Sequence, residues 1–179
     1  AITEGVDHRV KRLADGGAAR HAGHQVFRAE GGLHHRVPPL LVQPGDRLQV
    51  SQPFGFFTDE EGPAWWIATG TGIAPFYSMF RSMGTDDKIL IHGGRTKDSF
   101  YFQDEFSTHL GDRYVRCSSR ETGEGLWPGR LTSFLMERES FDPSMKYFLC
   151  GNAEMVVDVR DLLISRGVPF SNIRAEIYF

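Results

Sequence analysis

The chain from Pro44 onward alternates short apolar runs with longer segments of helical pattern, and this alternation constrains the fold more than any other feature. The predicted strands cover about residues 64–68, 88–92, 114–118, 147–150 and 173–178. The predicted helices cover about residues 75–83, 99–110, 132–137 and 153–166. Strands that alternate with helices favour right-handed crossovers and a parallel sheet covered on both faces. We therefore predict a five-stranded, parallel, doubly wound α/β sheet.

Local signals predict how these helices begin, end and pack. Pro75 stands in a first turn, where proline is tolerated. Asn152 is a candidate N-cap of the last helix, and Gly167 predicts its end. The buried stripe predicted for that helix consists of Met155, Val159 and Leu162. The face predicted for the second helix consists of Phe102, Phe106 and Leu110, with Gly111 ending it.

Residues 1–42 show neither a strand period nor a helix period, although residues 47–51 alternate as a strand does. This first segment holds five of the seven histidines. His21 and His24 are three residues apart, a spacing compatible with a metal ion on a helix. No cysteine or carboxylate cluster accompanies them. We therefore expect a histidine-rich surface segment and no metal site.

Composition and charge argue against some classes of binding partner. The net charge of −3 gives no basic balance that would indicate nucleic acid. The two cysteines, Cys117 and Cys150, are too few for a disulfide framework and suit a reducing cytoplasm. No apolar stretch approaches the length of a membrane span. We predict a cytoplasmic protein that binds neither nucleic acid nor membrane.

Ligands of such sheets lie beyond the carboxyl ends of the strands, near the switch point of the strand order. The loop after the first strand runs from Thr69 through Gly70, Thr71 and Gly72 to Pro75. Its glycines allow the backbone close to a pyrophosphate, and the following helix N-terminus offers unpaired amide groups. By itself, a short glycine loop of this kind is more often a simple tight turn.

Arginines follow two further predicted strands. Ser119 and Arg120 follow the third strand, Arg130 comes ten residues later, and Arg95 follows the second strand. A ribose 2′-phosphate requires cationic, fork-shaped donors of this kind. The alternative is a set of solvated surface arginines, and the pattern alone does not separate the two.

Cys150 and Gly151 end the fourth strand and precede a helix, where a thiol can have a lowered pKa and can face a cofactor ring. A small buried residue at the end of a strand is the alternative. Glu176, Tyr178 and Phe179 end the chain. The two aromatic residues fit either a last core strand or a platform for a flat cofactor.

Taken in order, these residues resemble the ferredoxin–NADP⁺ reductase family, with a match from about Gln43 to Phe179. The matching segments are Pro53 to Phe57, Ala68 to Pro75, Arg95, Ser119-Arg120-Glu121, Gly129-Arg130, Cys150-Gly151 with Met155-Val156, and Glu176 with Tyr178-Phe179. The resemblance implies a hydride transfer from NADPH to FAD, followed by electron transfer to ferredoxin or flavodoxin.

The resemblance also implies roles for individual residues. Cys150, Glu176 and Tyr178 would lie at the reacting rings. The residues expected to bind cofactor are Thr69, Gly70, Thr71, Gly72, Pro75, Arg95, Ser119, Arg120, Arg130, Gly151, Met155 and Phe179.

The N-terminal part departs from the family pattern. No Arg-x-Tyr-Ser flavin motif is present, and no serine stands in the segment Gly31 to His35, where a second motif would fall. We therefore expect residues 1–57 to be a truncated or diverged flavin-binding β region and residues 58–179 to be the NADP-binding domain. Two alternatives remain, an NADH-linked reductase component of an oxygenase and a non-catalytic NADP-binding fragment without flavin.

Overall fold

The computed structural model describes residues 55–59, 62–85 and 87–178, together with the backbone of residues 27–29 and 48–50. Contacts between Cα atoms divide the chain into two units, Ala1–Thr58 and Asp59–Phe179. In the first unit, β1 (Phe27–Ala29) pairs antiparallel with β2 (Leu48–Val50). His21, His24 and the segment from Gly31 to His35 lie outside the described residues. The assignment of residues 1–57 to a flavin-binding region stays a prediction.

The described part of the second unit contains one parallel sheet of six strands. They are β3 (Ala64–Thr69), β4 (Lys88–Gly94), β5 (Tyr114–Ser118), β6 (Leu126–Pro128), β7 (Lys146–Gly151) and β8 (Ile173–Ile177). Their order across the sheet is β6-β5-β4-β3-β7-β8. The predicted parallel α/β fold is confirmed, with six strands instead of five. The additional strand is β6, which has three residues and pairs with β5 at the sheet edge.

Four helices of the described residues cover the sheet. They are α1 (Ile73–Met83), α2 (Gln103–Leu110), α3 (Leu131–Met136) and α4 (Ala153–Ser165). Pro75 lies in the first turn of α1, as predicted, and is buried. Asn152 caps α4, because its side-chain oxygen accepts a hydrogen bond from the Met155 amide at 2.9 Å. None of the described helices combines the length and the apolar character that a membrane span requires.

The predicted start of α2 is wrong by four residues. A 3-10 turn occupies Lys97–Ser99, and α2 begins only at Gln103. Phe102 separates the two with a left-handed φ of 61°, a conformation that is unfavourable for a bulky residue. Its ring stacks on Tyr77 at a centroid distance of 3.8 Å, which holds that conformation in place. Phe102 therefore precedes the helix, while Phe106 and Leu110 form its buried face.

The sheet is buried on both faces, as expected of parallel strands. On one face α3 and α4 pack over a hydrophobic core. Its members include Trp65, Ile67, Ile91, Cys117, Leu131, Leu135, Tyr147, Leu149, Met155, Val159 and Leu163. The predicted stripe of α4 is correct for Met155 and Val159, whereas Leu162 is only partly buried and Leu163 is buried in full. On the other face Trp66 stacks on Phe76 at a centroid distance of 5.6 Å.

A buried ion pair joins the residues before β3 to the start of β4. Lys88 Nζ lies 2.7 Å from Asp59 Oδ2, and the two side chains are only 3% and 1% exposed. The Trp66 indole N–H also donates to Asp59 at 2.7 Å, and the Lys88 ammonium donates to the Gly62 carbonyl at 2.7 Å. Such a network offsets the cost of taking two charges out of water.

Replacing Lys88 by methionine should leave the Asp59 carboxylate buried without its cation. We expect Lys88→Met to lower the free energy of unfolding by about 3–5 kcal/mol, the usual cost of breaking a buried pair. Urea unfolding followed by circular dichroism measures it. The exposed Lys97→Met control should stay within about 0.5 kcal/mol of the parent chain. Equal stability of both variants would contradict a stabilising role for the pair.

Candidate nucleotide-binding site

The strand order reverses beside β3, since β4 lies on one side of it and β7 on the other. In parallel sheets the crevice at such a switch point is the usual place for a ligand. The loop after β3 and the loop after β7 therefore border the candidate site. Residues predicted from the sequence stand on both loops.

Gly72 and the end of β7 approach each other too closely for any side chain at position 72. A Cβ placed on Gly72 would overlap the Cys150 carbonyl oxygen and lie 2.7 Å from the Gly151 amide nitrogen. Only glycine permits this approach. The start of α1 is consequently held against the carboxyl end of β7.

Gly151 has the same role on the opposite loop. Its φ of 154° is unusual for residues with a side chain, and an added Cβ would overlap Thr69 Oγ1 and lie 2.9 Å from the Met155 methyl carbon. The Asn152 side-chain amide also donates to Thr69 Oγ1 at 3.4 Å. The structure thus brings together Thr69, Gly151 and Met155, which the sequence had nominated separately, and adds Asn152.

The N-terminus of α1 has the properties of an anion site. The 3-10 turn Gly70–Gly72 leads directly into α1, and the described residues provide no side-chain hydrogen bond to cap the helix at Gly72. Gly70 and Thr71 are exposed beside it. Uncapped amide groups and the helix dipole attract a phosphate. By contrast, Asn152 already occupies an amide at the start of α4.

Cys150 lies at the end of β7 and is fully buried. Its partner in the adjacent strand β8 is Glu176. Burial, and then the Glu176 charge, raise the pKa of the Cys150 thiol. Of the two interpretations of Cys150, the small buried residue at the end of a strand is therefore favoured over a thiol with a lowered pKa.

The C-terminal residues meet the same strand end. The Tyr178 amide donates to the Gly151 carbonyl at 2.8 Å, and Tyr178 is half-buried. Burial raises the pKa of the Tyr178 phenol, and the neighbouring Cys150 and Glu176 raise it further. These three predicted residues accordingly form one cluster. Phe179 lies outside the described residues.

Arg95, Ser119 and Arg120 come together beyond β4 and β5. The Ser119 and Arg120 amides donate to the Gly94 and Arg95 carbonyls at 3.1 and 2.9 Å. The Ser119 hydroxyl also donates to Gly94 at 3.3 Å. Both arginines are exposed at the strand ends. Hydrogen bonds between the two loops therefore hold two guanidinium-bearing residues side by side.

Arg130 contacts a different part of the site. It is the N-cap residue of α3, and its guanidinium lies 3.3 Å from Glu154 Oε1 in the first turn of α4. Both side chains are more than two-thirds exposed, at 71% and 73%, so their pair contributes little to stability. Sequence reasoning did not identify Glu154, because nothing local links it to Arg130.

The family of the chain follows from comparison with known proteins. A sequence profile of the oxidoreductase NAD-binding domain matches residues 66–161, which is more than half of the chain. The chain belongs to this family. Ferredoxin–NADP reductase B from Sorangium cellulosum is 31% identical to it in an alignment of length 172, which covers 86% of this chain and 70% of that protein. The family resemblance seen in the sequence is confirmed.

Two further proteins are similar to this chain, one in sequence and one in structure. The reductase component of propane 2-monooxygenase from Mycolicibacterium smegmatis is 29% identical in an alignment of length 147, which covers 72% of this chain but 42% of that protein. The FAD- and NAD-binding domain of nitric oxide dioxygenase from Vibrio cholerae has a TM-score of 0.67 at 17% identity, covering 77% of this chain and 61% of that one. The matching profile and the Sorangium cellulosum relative are named for NAD and NADP, and the Vibrio cholerae domain is named for FAD as well.

Replacing Gly72 by alanine should disturb the contact between α1 and β7, because the new methyl group meets backbone atoms that cannot rotate away. We expect a loss of about 1–3 kcal/mol in the free energy of unfolding, as for other overpacked sites. Gly123→Ala is the control, since the nearest atom to its added Cβ is a Leu126 methyl carbon at 3.7 Å. Urea unfolding compares the two, and a Gly72→Ala protein as stable as the control would contradict the close approach.

The buried thiols should make stability fall in alkaline solution. Burial raises the pKa of Cys117 from 9.0 to about 12 and raises that of Cys150 as well. The unfolded chain therefore loses these protons first as pH rises. Below the thiol pKa of the unfolded chain, the contribution of the protonated thiols to stability is fully present. Above that pKa, each thiol lowers the free energy of unfolding by up to about 1.4 kcal/mol per pH unit.

Cys150→Ser should accordingly reduce the slope of the free energy of unfolding against pH in alkaline solution. Between pH 7 and 8 the pH dependence should keep its shape. Urea unfolding at intervals between pH 7 and 10 measures the slopes. Cys117→Ser is the matched comparison and should reduce the same slope by a similar amount. An identical slope in the parent chain and in Cys150→Ser would mean that Cys150 titrates normally.

Proposed function

We propose that this chain binds NADPH across the carboxyl ends of its sheet and serves hydride transfer to FAD in a reductase of the ferredoxin–NADP⁺ type. The observation that carries the proposal is the pairing of the Arg95 and Arg120 loops through backbone hydrogen bonds beyond β4 and β5. Two guanidinium groups on joined loops suit a dianionic 2′-phosphate better than a neutral ribose hydroxyl.

The pyrophosphate fits the start of α1. The turn before α1 has no side-chain cap, and glycine at position 72 leaves no side chain between this turn and the end of β7. Backbone donors at a helix N-terminus bind phosphate without a bulky side chain. Thr69 and Asn152, joined at 3.4 Å, would fix the rim of this loop.

Cys150, Glu176 and Tyr178 would border the nicotinamide and the flavin. When bound, the nicotinamide would supply a hydride to the flavin, whose two electrons would pass singly to ferredoxin or flavodoxin while the proton is released to solvent. The Cys150 thiol is fully buried at the end of β7, so it would act by packing behind the strand end that borders the ring. Glu176 and Tyr178 would limit how closely the ring lies to the strand ends. The protein thus contributes orientation and electrostatics to the cofactors' chemistry.

The similarity to an oxygenase reductase component supports a second candidate, an NADH-linked reductase that serves an oxygenase. The exposed Arg95 and Arg120 favour the first candidate, since a coenzyme without a 2′-phosphate needs neither. A third candidate is an NADP-binding chain that holds no flavin. The absorbance spectrum of the purified chain after addition of FAD separates it from the other two, because bound flavin absorbs in the visible range.

Arg120→Ala should lower the affinity for NADP⁺ at least tenfold and leave that for NAD⁺ within a factor of about two, because one hydrogen bond to a charged group contributes about 1.5–3 kcal/mol. Isothermal titration calorimetry with both coenzymes measures this ratio. Arg160→Ala is the control; it removes the same charge from the middle of α4, where Arg160 pairs with Asp161. Equal affinity of the parent chain for the two coenzymes would overturn the proposal.

A further inference from the structure

We propose that Glu121 is a positioning residue that fixes the Arg95 loop against the Arg120 loop and thereby sets selectivity for a 2′-phosphorylated coenzyme. The inference rests on the proposed function above and deepens it. Glu121 would act through the two arginines, without contacting the phosphate.

The backbone pairing between β4 and β5 ends where the Arg95 loop and the Arg120 loop begin. β4 and β5 are in register up to Gly94 and Ser118, and amide donation continues to Gly94 and Arg95. The next residues along the Arg95 loop are Thr96 and Lys97, where the chain turns into the 3-10 turn Lys97–Ser99. A side chain is required to continue the connection beyond this point.

Glu121 provides that connection. Its carboxylate oxygen Oε2 accepts a hydrogen bond from the Lys97 amide at 2.8 Å, a distance typical of a strong charge-assisted bond. The other oxygen lies 4.0 Å from Lys97 Nζ. The Lys97 amide belongs to the first residue of the 3-10 turn, where amides have no partner within the turn. Glu121 therefore caps that turn from the neighbouring loop.

Ser118 closes the arrangement at its other end. Its buried hydroxyl donates to the Arg95 carbonyl at 3.0 Å and accepts from the Glu121 amide at 3.3 Å. The segment Arg95 to Lys97 is thus held at its first residue by Ser118 and at its last by Glu121. Ser118 ends β5 and Glu121 follows Arg120, so both add to the hydrogen bond from the Arg120 amide to the Arg95 carbonyl in fixing the separation of the two arginines.

The charge of Glu121 would otherwise be unfavourable beside a phosphate. The Glu121 side chain is 32% exposed and directs both oxygens to Lys97, whose side chain is 70% exposed. One oxygen is used by an amide and the other faces an ammonium group. The carboxylate therefore acts as a hydrogen-bond acceptor within the protein. This assignment differs from a ribose-binding carboxylate, which would favour the unphosphorylated coenzyme.

The test is calorimetric binding of 2′,5′-ADP and 5′-AMP to the full chain, since these ligands differ only in the 2′-phosphate. Glu121→Ala should weaken 2′,5′-ADP binding about tenfold, as expected when a charged hydrogen bond is lost, and change 5′-AMP binding less than about twofold. Glu121→Gln keeps an acceptor oxygen and should retain 2′,5′-ADP affinity within about threefold. The exposed neighbour Glu124→Ala is the charge-matched control.

A second pair of variants tests the same hydrogen bond from its donor side. Lys97→Pro removes the amide proton at a position where proline is tolerated, whereas Lys97→Ala removes only the side chain. Lys97→Pro should reproduce the selective loss seen in Glu121→Ala, and Lys97→Ala should show much less of it. Thermal unfolding of each variant identifies any that fail to fold, and the remaining pair still decides the question.

Each outcome has a defined meaning. Unchanged selectivity in Glu121→Ala and Lys97→Pro, with the parent chain still preferring 2′,5′-ADP, overturns the role of Glu121 and leaves the proposed function intact. Equal binding of the two ligands by the parent chain overturns the proposed function itself. If Glu121→Gln loses as much as Glu121→Ala, or if both variants bind 5′-AMP more weakly, the carboxylate acts by its charge or as a ribose ligand, and the positioning role is wrong.

Discussion

The contact between the start of α1 and the end of β7 is the constraint on which the rest of the candidate site depends. It requires two glycines, because a methyl group on Gly72 would overlap the Cys150 carbonyl and one on Gly151 would overlap Thr69. Without this approach the helix N-terminus and the strand end would separate, and the crevice at the switch point would widen. The buried sheet supplies the rigidity that keeps both loops in position.

The two halves of the site are built by different physical means. At the end proposed to bind the pyrophosphate, backbone geometry dominates, with close glycine approaches and no side-chain cap on the helix. At the end proposed to bind the 2′-phosphate, the Ser118 and Glu121 side chains add to the backbone hydrogen bonds that hold the loops. A backbone site recognises a group that all pyridine nucleotides share, whereas a side-chain site can be altered without disturbing the sheet.

The sequence predicted the long, regular elements well, because β3, β4 and β7 are apolar runs that are almost wholly buried, and because Pro75, Gly111 and Gly167 signal helix ends. It missed β6, whose three residues are too few to show a period. It placed the start of α2 too early, because the left-handed Phe102 is held by stacking on Tyr77, a contact distant in sequence. It left two interpretations of Cys150 open, and burial in the sheet favours the small buried residue over a thiol with a lowered pKa.

The pair between Arg130 and Glu154 has a consequence for the effect of salt. If coenzyme binding transfers Arg130 from the Glu154 carboxylate to a phosphate, the guanidinium exchanges one anion for another. Dissolved ions screen both contacts, since both side chains are largely exposed. Affinity should then decline less steeply with ionic strength than three unpaired arginines would require. The Glu154 carboxylate would thus make coenzyme affinity less sensitive to ionic strength.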